Sequence, residues 1–416
     1  MNLSPPLTPA MPSLDMDPDQ LSIPCLFMRG GSSRGGFFLD GDLPQDPDER
    51  AAVLLACYGS PDSRQINGIG GADPLTSKAA IVRRSERDDA DLDYTFCQVG
   101  IDRAKVSTGG NCGNMLAAVA PFGLLRGLIK PSGPEMSVRI FTTNTGQVVT
   151  ARMQVADGWP RVSGDGSVAG VPGTGSPIAI DFGNCAGSVS GRLLPSGNVR
   201  DRIVVDGRTV EVSFVDAATP FVFVNASDIG ADGTELPAEL DKNARVMAAL
   251  ESIRGWAACV LGLVDTAADA RRITPNMPRV IMVSPPKSYR STAGDVAEDD
   301  IDLCVRQIAM QKPHNTLAVT GSVCTAVASR IPGTIVHAVA RAGGERSRLG
   351  HPAGILTVSA RIREEAGEFI IESAAVERTA RMIMAGTLFA PRDRITYIRS
   401  VLEKDPTPGG QPASPE

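Results

Sequence analysis

The sequence is poor in aromatic residues and in histidine. Aromatic side chains make up 4% of the 416 residues, and the three histidines are His314, His337 and His351. Histidines this few and this widely spaced are not typical of a zinc site. No apolar run reaches the length of about 18 residues that a transmembrane helix needs, so we expect no membrane span.

Positive charge is also in deficit. Lys and Arg number 41 against 47 Asp and Glu, a net charge of −6, which argues against nucleic-acid and membrane-surface partners. The eight cysteines are scattered without a C-x-x-C pair, and the first residues lack the basic and apolar segments of a secretory signal. We therefore expect reduced thiols and a cytoplasmic protein.

Glycine and proline, in contrast, are abundant. The 43 Gly and 31 Pro predict many short strands and tight turns, and the chain length suits two domains. Residues 1–20 and 403–416 are rich in proline and poor in apolar side chains, which predicts a disordered tail at each end.

One stretch organises the rest of the chain. In residues 107–128 a glycine-rich turn carrying Asn111, Cys112, Gly113 and Asn114 runs directly into an apolar segment. A segment that is apolar on all sides predicts a buried helix, whose N-terminus favours anions and a thiolate. The alternative, equally weighted on this stretch alone, is a helix cap followed by a structural cysteine.

A second stretch repeats the pattern. In residues 318–330 a turn of small residues, including Gly321 and Ser322, and then Cys324 precede another apolar run. Two such turns suggest a duplicated architecture with a cleft between two helix N-termini.

Two further glycine-rich turns carry polar groups. Residues 29–36 separate two apolar strands, so this turn either holds a carboxylate through its backbone, hydroxyls and arginines or is a simple hairpin turn. The turn at residues 67–77 ends at a single lysine, Lys78. A lysine among small and apolar residues loses hydration, which makes a neutral base accessible, whereas the alternative is a solvated lysine at a strand edge.

Periodicity and turn residues predict the main elements. Helices are expected from Asp46 to Tyr58, over residues 238–263 and over residues 376–386; strands are expected at 25–28, 94–106, 137–155, 221–224 and 279–283. Residues 203–215 are expected to form two strands joined in a hairpin at Asp206-Gly207. Nucleophile elbows, Walker loops and H-E-x-x-H motifs are absent from the sequence. The remaining chemistry is one lysine, two turn cysteines and several glycine-rich anion cradles, which suits proton transfer on a small polycarboxylate without cofactor or metal.

Motifs in a fixed order resemble one family over residues 23–400. They are Arg29-Gly-Gly-Ser-Ser-Arg-Gly, Gly70-Gly-Ala-Asp-Pro-Leu-Thr-Ser-Lys78, Gly110-Asn-Cys-Gly-Asn-Met115, Asn144-Thr-Gly146, Thr320-Gly-Ser-Val-Cys324 and His351-Pro-Ala-Gly354. Together they resemble the methylaconitate isomerase/4-oxalomesaconate tautomerase family. Residues 59–78 and 194–198 resemble the oxalomesaconate branch more, and Arg34 stands where the family often has lysine.

The resemblance implies a diaminopimelate-epimerase-like α+β fold. Each of two similar domains would wrap a β-barrel-like sheet around a central helix, with the active site in the interdomain cleft. The first domain would comprise residues 21–187 plus 375–402, and the second residues 188–374.

The resemblance also implies the activity and the site. It implies a cofactor-independent isomerase that moves a proton and a double bond in an unsaturated tricarboxylate, foremost 4-oxalomesaconate in aromatic-compound catabolism such as gallate or protocatechuate degradation. The alternatives are a 2-methylaconitate or aconitate isomerase and a non-catalytic polycarboxylate-binding protein; a homodimer is left open. Lys78 would be the base and Cys112 a second acid/base or a pocket wall. The substrate-binding residues would be Arg29, Gly30, Gly31, Ser32, Ser33, Ser77, Asn111, Gly113, Asn114, Met115, Gly321, Ser322 and Cys324.

Overall fold

The structure is a computed structural model that describes residues 18–108, 111–183, 185–275, 277–309, 311–341 and 343–404. The chain divides into two compact units: unit 1 takes residues up to 167, 173–178 and from 378 on, and unit 2 takes 168–172 and 179–377. The predicted tails lie outside the described residues except at 18–20 and 403–404, and the domain boundaries drawn from the sequence stay predictions.

The elements follow one another along the chain, and strands predominate. From the start to residue 181 they are β1 Gln20–Gly30, β2 Ser33–Leu39, α1 Pro47–Tyr58, β3 Lys78–Arg84, β4 Leu92–Val99, β5 Val106–Ser107, α2 Gly113–Leu116, α3 Val119–Leu125, β6 Glu135–Thr142, β7 Gln147–Ala156, β8 Trp159–Pro160, β9 Gly166–Val168, β10 Val171–Gly175 and β11 Pro177–Asp181.

The remaining elements lead to the last described residue. They are β12 Asp201–Val205, β13 Arg208–Ala217, β14 Thr219–Asn225, α4 Pro237–Lys242, α5 Ala244–Val260, α6 Ala270–Ile273, β15 Arg279–Ser284, β16 Tyr289–Ser291, β17 Gly294–Val296, β18 Leu303–Ala309, β19 Lys312–Pro313, α7 Val319–Arg330, α8 Ile335–Val339, β20 Arg346–His351, β21 Gly354–Glu365, β22 Glu368–Pro391 and α9 Arg392–Lys404.

Unit 1 is a sheet with helices on both faces. β1 pairs antiparallel with β2 and β22, β2 pairs parallel with β3, and β3 pairs antiparallel with β4. Residues such as Cys25, Phe38 and Ile81 pack with α1 and α9 on the outer face. The inner face packs on α2 and α3, with the Phe37 and Phe122 rings 5.7 Å apart.

The first helix begins as the sequence predicts. Asp46 caps α1 by accepting a hydrogen bond from the Glu49 N–H, and Pro47 takes the first helical position. Gly59 ends the helix in the left-handed conformation, with φ +74°.

The buried helix predicted after Cys112 is in two pieces, and the expectation of one continuous helix is wrong. Residues 115–120 are fully buried, as predicted, but α2 ends at Leu116 and α3 begins at Val119. Pro121 explains the break, because it has no N–H to donate to the Ala117 carbonyl and its ring crowds that turn.

Unit 2 has the same arrangement of sheet and helices. β12, β13 and β14 pair antiparallel in sequence, as the hairpin prediction requires, and β14 pairs parallel with β15. α5 covers one face through an apolar cluster that includes Phe214, Leu250 and Met282. α7 packs against β13, β14 and β21 and is buried over almost its whole length, which confirms the second buried helix and the α+β class.

The third predicted helix is wrong, because residues 376–386 belong to strand β22. The Met, Ala and Arg residues of this segment favour helix in isolation, but the segment pairs with β1 from Ala380 on, and Val376 at its start pairs with Val358 of β21. These neighbours supply the backbone hydrogen bonds, and the sheet overrides the local preference.

Candidate active site

Lys78 opens β3 on the inner face of unit 1, and its amine has a fixed direction. The side chain is only 7% exposed. Nζ donates a 2.6 Å hydrogen bond to Gln98 Oε1 and lies 5.1 Å from the centre of the Phe96 ring. The alternative of a solvated lysine at a strand edge is therefore wrong. Lys78 is buried, and Gln98 and Phe96 of the adjacent strand β4 hold its amine in place.

Gln98 can present only its oxygen to Lys78. Its Nε2 donates to the carbonyls of Ser77 at 2.9 Å and Pro74 at 3.2 Å, which fixes the orientation of the amide. A neutral amide orients the amine without supplying a negative charge. A carboxylate at this place would favour the ammonium form, so the arrangement suits an acid/base lysine.

The backbone of Lys78 is held as firmly as its side chain. The buried Tyr58 hydroxyl donates to the Lys78 carbonyl and accepts from the Gly36 N–H. A Cβ on Gly35 would come within 1.7 Å of the same carbonyl, so only glycine fits there. Ser77, predicted to bind substrate, is fully buried and donates instead to the Val99 carbonyl at 2.9 Å.

The glycine-rich turn between β1 and β2 packs against α2. Cβ atoms on Gly30 and Gly31 would lie 2.3 Å from the Asn114 carbonyl oxygen and 2.1 Å from its Oδ1. Ser32 Oγ accepts a 3.1 Å hydrogen bond from Asn114 Nδ2. The turn is a hairpin turn that brings polar groups to the inner face, and carboxylate binding by this turn stays a prediction.

Ser33 lies on the inner face with an unsatisfied hydroxyl. Its side chain is 1% exposed, and Oγ has no hydrogen-bond partner among the described residues. A buried polar group without a partner is unfavourable by about 1–3 kcal/mol, so this hydroxyl is a candidate contact for a ligand.

Arg29 lies on the opposite face of the sheet from the residues it was grouped with. Gly30 faces α2, so the adjacent Arg29 faces outward. Its guanidinium donates to the Gly31 carbonyl at 2.7 Å and to the Thr379 carbonyl and Oγ1, each at 2.9 Å. Burial and the charge of Arg381 lower its pKa. This placement fits a structural clamp better than the predicted carboxylate contact.

Cys112 caps α2, and its thiol is partly exposed. Its carbonyl accepts from the Leu116 N–H at 2.9 Å and from the Tyr94 hydroxyl at 3.5 Å. Asn111 Oδ1 accepts from the Cys112 N–H at 2.7 Å. Gly113 and Met115 are buried in the same turn. Because Tyr94, Phe96 and Gln98 share one face of β4, Cys112 and Lys78 lie on the same side of the sheet.

Asn144, part of a motif that carries the resemblance, has a structural role in this unit. Its Oδ1 accepts from the Phe96 N–H at 2.7 Å, and its Nδ2 donates to the carbonyls of Phe96 at 2.9 Å and Thr108 at 2.7 Å. It thereby fixes the strand that carries Phe96 under Lys78.

Arg378 is the residue that the sequence analysis missed. It is 4% exposed, and its Nε donates to Asn114 Oδ1 at 3.1 Å. Burial lowers the pKa of Arg378 to about 10, and the charge of Cys112 acts in the opposite direction. Had the segment been read as a strand, its alternation would have placed Arg378 on the same face as Ala374, Val376 and Ala380, and this apolar face would have revealed an inward-facing arginine.

The predicted residues of unit 2 lie in its core. Ser322 Oγ donates to the Val319 carbonyl at 2.8 Å and Cys324 Sγ to the Val215 carbonyl at 3.4 Å. Burial raises the pKa of the Cys324 thiol well above its usual range. A Cβ on Gly321 would lie 2.6 Å from Gln307 Oε1. These positions fit helix packing better than direct contact with a substrate.

Metal and membrane features were sought in the described part of the chain. No group of three or more His, Cys, Asp and Glu residues there could hold a metal ion. Across the same residues, no helix is both long enough and apolar enough to span a bilayer.

Known proteins resemble this chain over most of its length. The family model described as PrpF protein matches residues 20–391. The 3-methylitaconate isomerase of Eubacterium barkeri is 43% identical over 91% of this chain and 99% of its own length. The 4-oxalomesaconate tautomerase of Pseudomonas putida is 42% identical over 90% of this chain and 98% of its own length.

A solved structure supports the fold as well. The crystal structure of methylitaconate delta-isomerase has a TM-score of 0.82 and 43% identity, and the match covers 91% of this chain and 97% of that one. These matches confirm the resemblance stated from the motifs: the chain belongs to the PrpF protein family of isomerases.

Proposed function

We propose that this isomerase moves a proton and a double bond within an unsaturated tricarboxylate, with Lys78 as the base. The observation that carries the proposal is the buried amine of Lys78, oriented by the neutral Gln98 amide at 2.6 Å on the sheet face that also carries Cys112. A positioned amine whose hydrogen-bond acceptor is a neutral amide is suited to remove a proton from carbon.

The reaction needs no oxidant or reductant. The Lys78 amine takes a proton alpha to a carbonyl, or gamma across a conjugated C=C bond, and the C–H electron pair delocalises into a dienolate. A proton then returns to a different atom of the conjugated system, from Cys112 or from Lys78 itself. The product is an isomer of the substrate. When Lys78 itself returns the proton, the enzyme is already in its starting state; when Cys112 donates it, the Lys78 ammonium then passes its proton to the Cys112 thiolate, which restores both groups.

The dienolate and the carboxylates require positive or hydrogen-bonding groups. Ser33 offers an unsatisfied hydroxyl, Asn111 and Asn114 offer amides, and the buried Arg378 offers a fixed charge. Groups held in place before the reaction stabilise developing negative charge without reorganising.

The substrate that we favour is 4-oxalomesaconate, on the strength of the motifs at residues 59–78 and 194–198. The relatives leave 3-methylitaconate as a rival, because the two named enzymes are 43% and 42% identical to this chain. 2-Methylaconitate and aconitate remain alternatives, and a homodimer stays a prediction. The candidate from another class is a non-catalytic polycarboxylate-binding protein.

A substrate panel in deuterated water tests the proposal. Each candidate acid is incubated with the wild-type protein, and the position of deuterium is read by NMR. The proposal expects label at the carbon that gains the proton, together with the shifted double bond, for one tricarboxylate. A rise in melting temperature with an acid that never acquires label would establish the non-catalytic binder instead.

A further inference from the structure

Arg378 is placed where it can act on the thiol at the start of α2. Its guanidinium reaches Asn114 Oδ1 at 3.1 Å, and Asn114 is two residues after Cys112 in the same turn. A Cβ on Gly31 would lie 3.1 Å from Arg378 Cδ, so the β1–β2 turn closes over the arginine stem. The side chain is therefore enclosed on two sides.

The strand around Arg378 is fixed independently. Thr379, its neighbour in β22, accepts two hydrogen bonds from Arg29, one at the carbonyl and one at Oγ1, each of 2.9 Å. The Gly31 N–H donates to the same carbonyl at 2.9 Å. Arg29, on the outer face of the sheet, thus fixes Thr379, and through Thr379 it fixes the position of the adjacent Arg378.

We propose that Arg378 is a positioning residue that holds Asn114 and keeps a permanent positive charge beside the turn that carries Cys112. A guanidinium stays protonated throughout the neutral range even when it is buried. The consequence for turnover depends on the proposed function, but the effect on the thiol does not.

The helix alone cannot supply this charge. α2 is four residues long, so the opposite partial charges at its two ends lie only about 6 Å apart and largely cancel each other. A full charge on a buried side chain has a larger effect on a neighbouring thiol, because a low-dielectric environment screens it less.

Among the described residues, Arg378, Tyr94 and Lys78 approach the turn of Cys112 from three different strands, and the test must separate them. Arg378 approaches from β22, the Tyr94 hydroxyl from β4 at 3.5 Å from the Cys112 carbonyl, and Lys78 from β3 on the same face. Tyr94 is neutral in this setting, because burial raises its pKa well above the usual range. Arg378 and Lys78 are thus the two cations to be distinguished.

Alkylation of the wild-type protein gives the first measurement. In this reaction the thiolate sulfur forms a bond to the methylene carbon of iodoacetate or iodoacetamide, and iodide leaves. Peptide mass spectrometry measures the rate of alkylation at Cys112. The partly buried Cys259 serves as the internal reference. A fixed cation should attract the anionic reagent, so we expect the iodoacetate-to-iodoacetamide rate ratio at Cys112 to exceed that of glutathione by about tenfold. A ratio equal to that of glutathione overturns the proposal.

Variants assign the charge to Arg378. Arg378→Gln should bring the ratio to within about twofold of glutathione, whereas Arg378→Lys should keep it within about threefold of wild type, because the charge is retained. Arg381→Gln, an exposed arginine on the same strand, is the matched control and should change nothing. The proposal is contradicted if the folded Arg378→Gln variant keeps the wild-type iodoacetate-to-iodoacetamide ratio. It is also contradicted if Arg378→Lys lowers that ratio as much as Arg378→Gln does.

A further variant excludes the other cation. Lys78→Ala should leave the ratio within about twofold of wild type; a collapse there assigns the charge to Lys78 and overturns the proposal. If Arg378→Gln does not fold, the wild-type ratio and the Arg378→Lys and Lys78→Ala results still decide. Because none of these measurements uses a substrate, failure of the substrate panel and failure of this inference are separate outcomes.

Discussion

Gln98 is a neutral partner that orients Lys78, the residue we propose as the base. The amide accepts from the amine, and two backbone carbonyls hold the amide so that it cannot turn its nitrogen toward the lysine. The amine is therefore oriented by a group that carries no charge.

Gln98→Glu tests this relation. A carboxylate at 98 should pair with Lys78 and favour the ammonium form, so turnover near neutral pH should fall by about tenfold or more. The rising limb of the pH–rate profile should move to higher pH, because the amine then loses its proton later. An unchanged limb in a folded Gln98→Glu protein would show that Lys78 deprotonation does not limit the rate.

Ser33 offers a second test on the scale of one residue. Removing a hydroxyl that contacts a substrate carboxylate in both ground and transition states should raise KM and change kcat little. Ser33→Ala is therefore expected to raise KM by about tenfold.

Ser176 is a matched control, because its buried hydroxyl also lacks a partner among the described residues. Ser176→Ala should leave both kinetic constants unchanged. If Ser33→Ala behaves in the same way and only raises the melting temperature, Ser33 is a structural residue and not a ligand contact.

Among the elements, the β1–β2 turn joins the sheet to α2 through two glycines. Gly31 has φ +50°, and a Cβ there would lie 2.1 Å from Asn114 Oδ1. A methyl group would have to displace the amide that contacts both Ser32 and Arg378.

Gly31→Ala should therefore lower turnover by more than its loss of stability can explain. Gly146→Ala is the control, because Gly146 also has a positive φ, +68°, but nothing lies within 4 Å of its would-be Cβ. Both variants carry a backbone strain of about 1 kcal/mol, so a specific loss of turnover in Gly31→Ala reports the displacement of Asn114. Equal turnover in the two variants contradicts this role of the turn.

The elements also show what the sequence could and could not predict. The cap of α1 and the burial of α2, α3 and α7 follow from local residue patterns, and the structure confirms them. The β22 segment carries helix-favouring side chains, and only its pairing with β1 and β21, distant in sequence, makes it a strand. That misreading concealed Arg378. Arg29 was grouped with residues that the structure places on the opposite face, because a glycine-rich turn does not reveal which alternate residues point inward.

For the whole molecule, membership of the family follows from ordered motifs spread over the chain, but these do not identify the substrate. The named relatives are about equally similar to this chain and act, by their names, on different acids. A pocket distinguishes related acids through a few contacts, which overall identity does not report.

The whole protein is also predicted to work without a metal or organic cofactor. The described residues contain no cluster that could hold a metal ion, and the proposed proton transfer uses side chains only. Dialysis against a strong chelator should leave turnover unchanged. Loss of activity that a divalent metal restores would contradict the prediction.

The most direct test of the account is the turnover of Lys78→Ala on the tricarboxylate that the panel identifies. Loss of a general base should lower kcat by about 10²–10⁴-fold, while the melting temperature stays near that of wild type. The exposed Lys105 provides the control, and Lys105→Ala should match wild-type turnover. Turnover of folded Lys78→Ala within a few-fold of wild type would remove Lys78 from the mechanism and make Cys112 the candidate base.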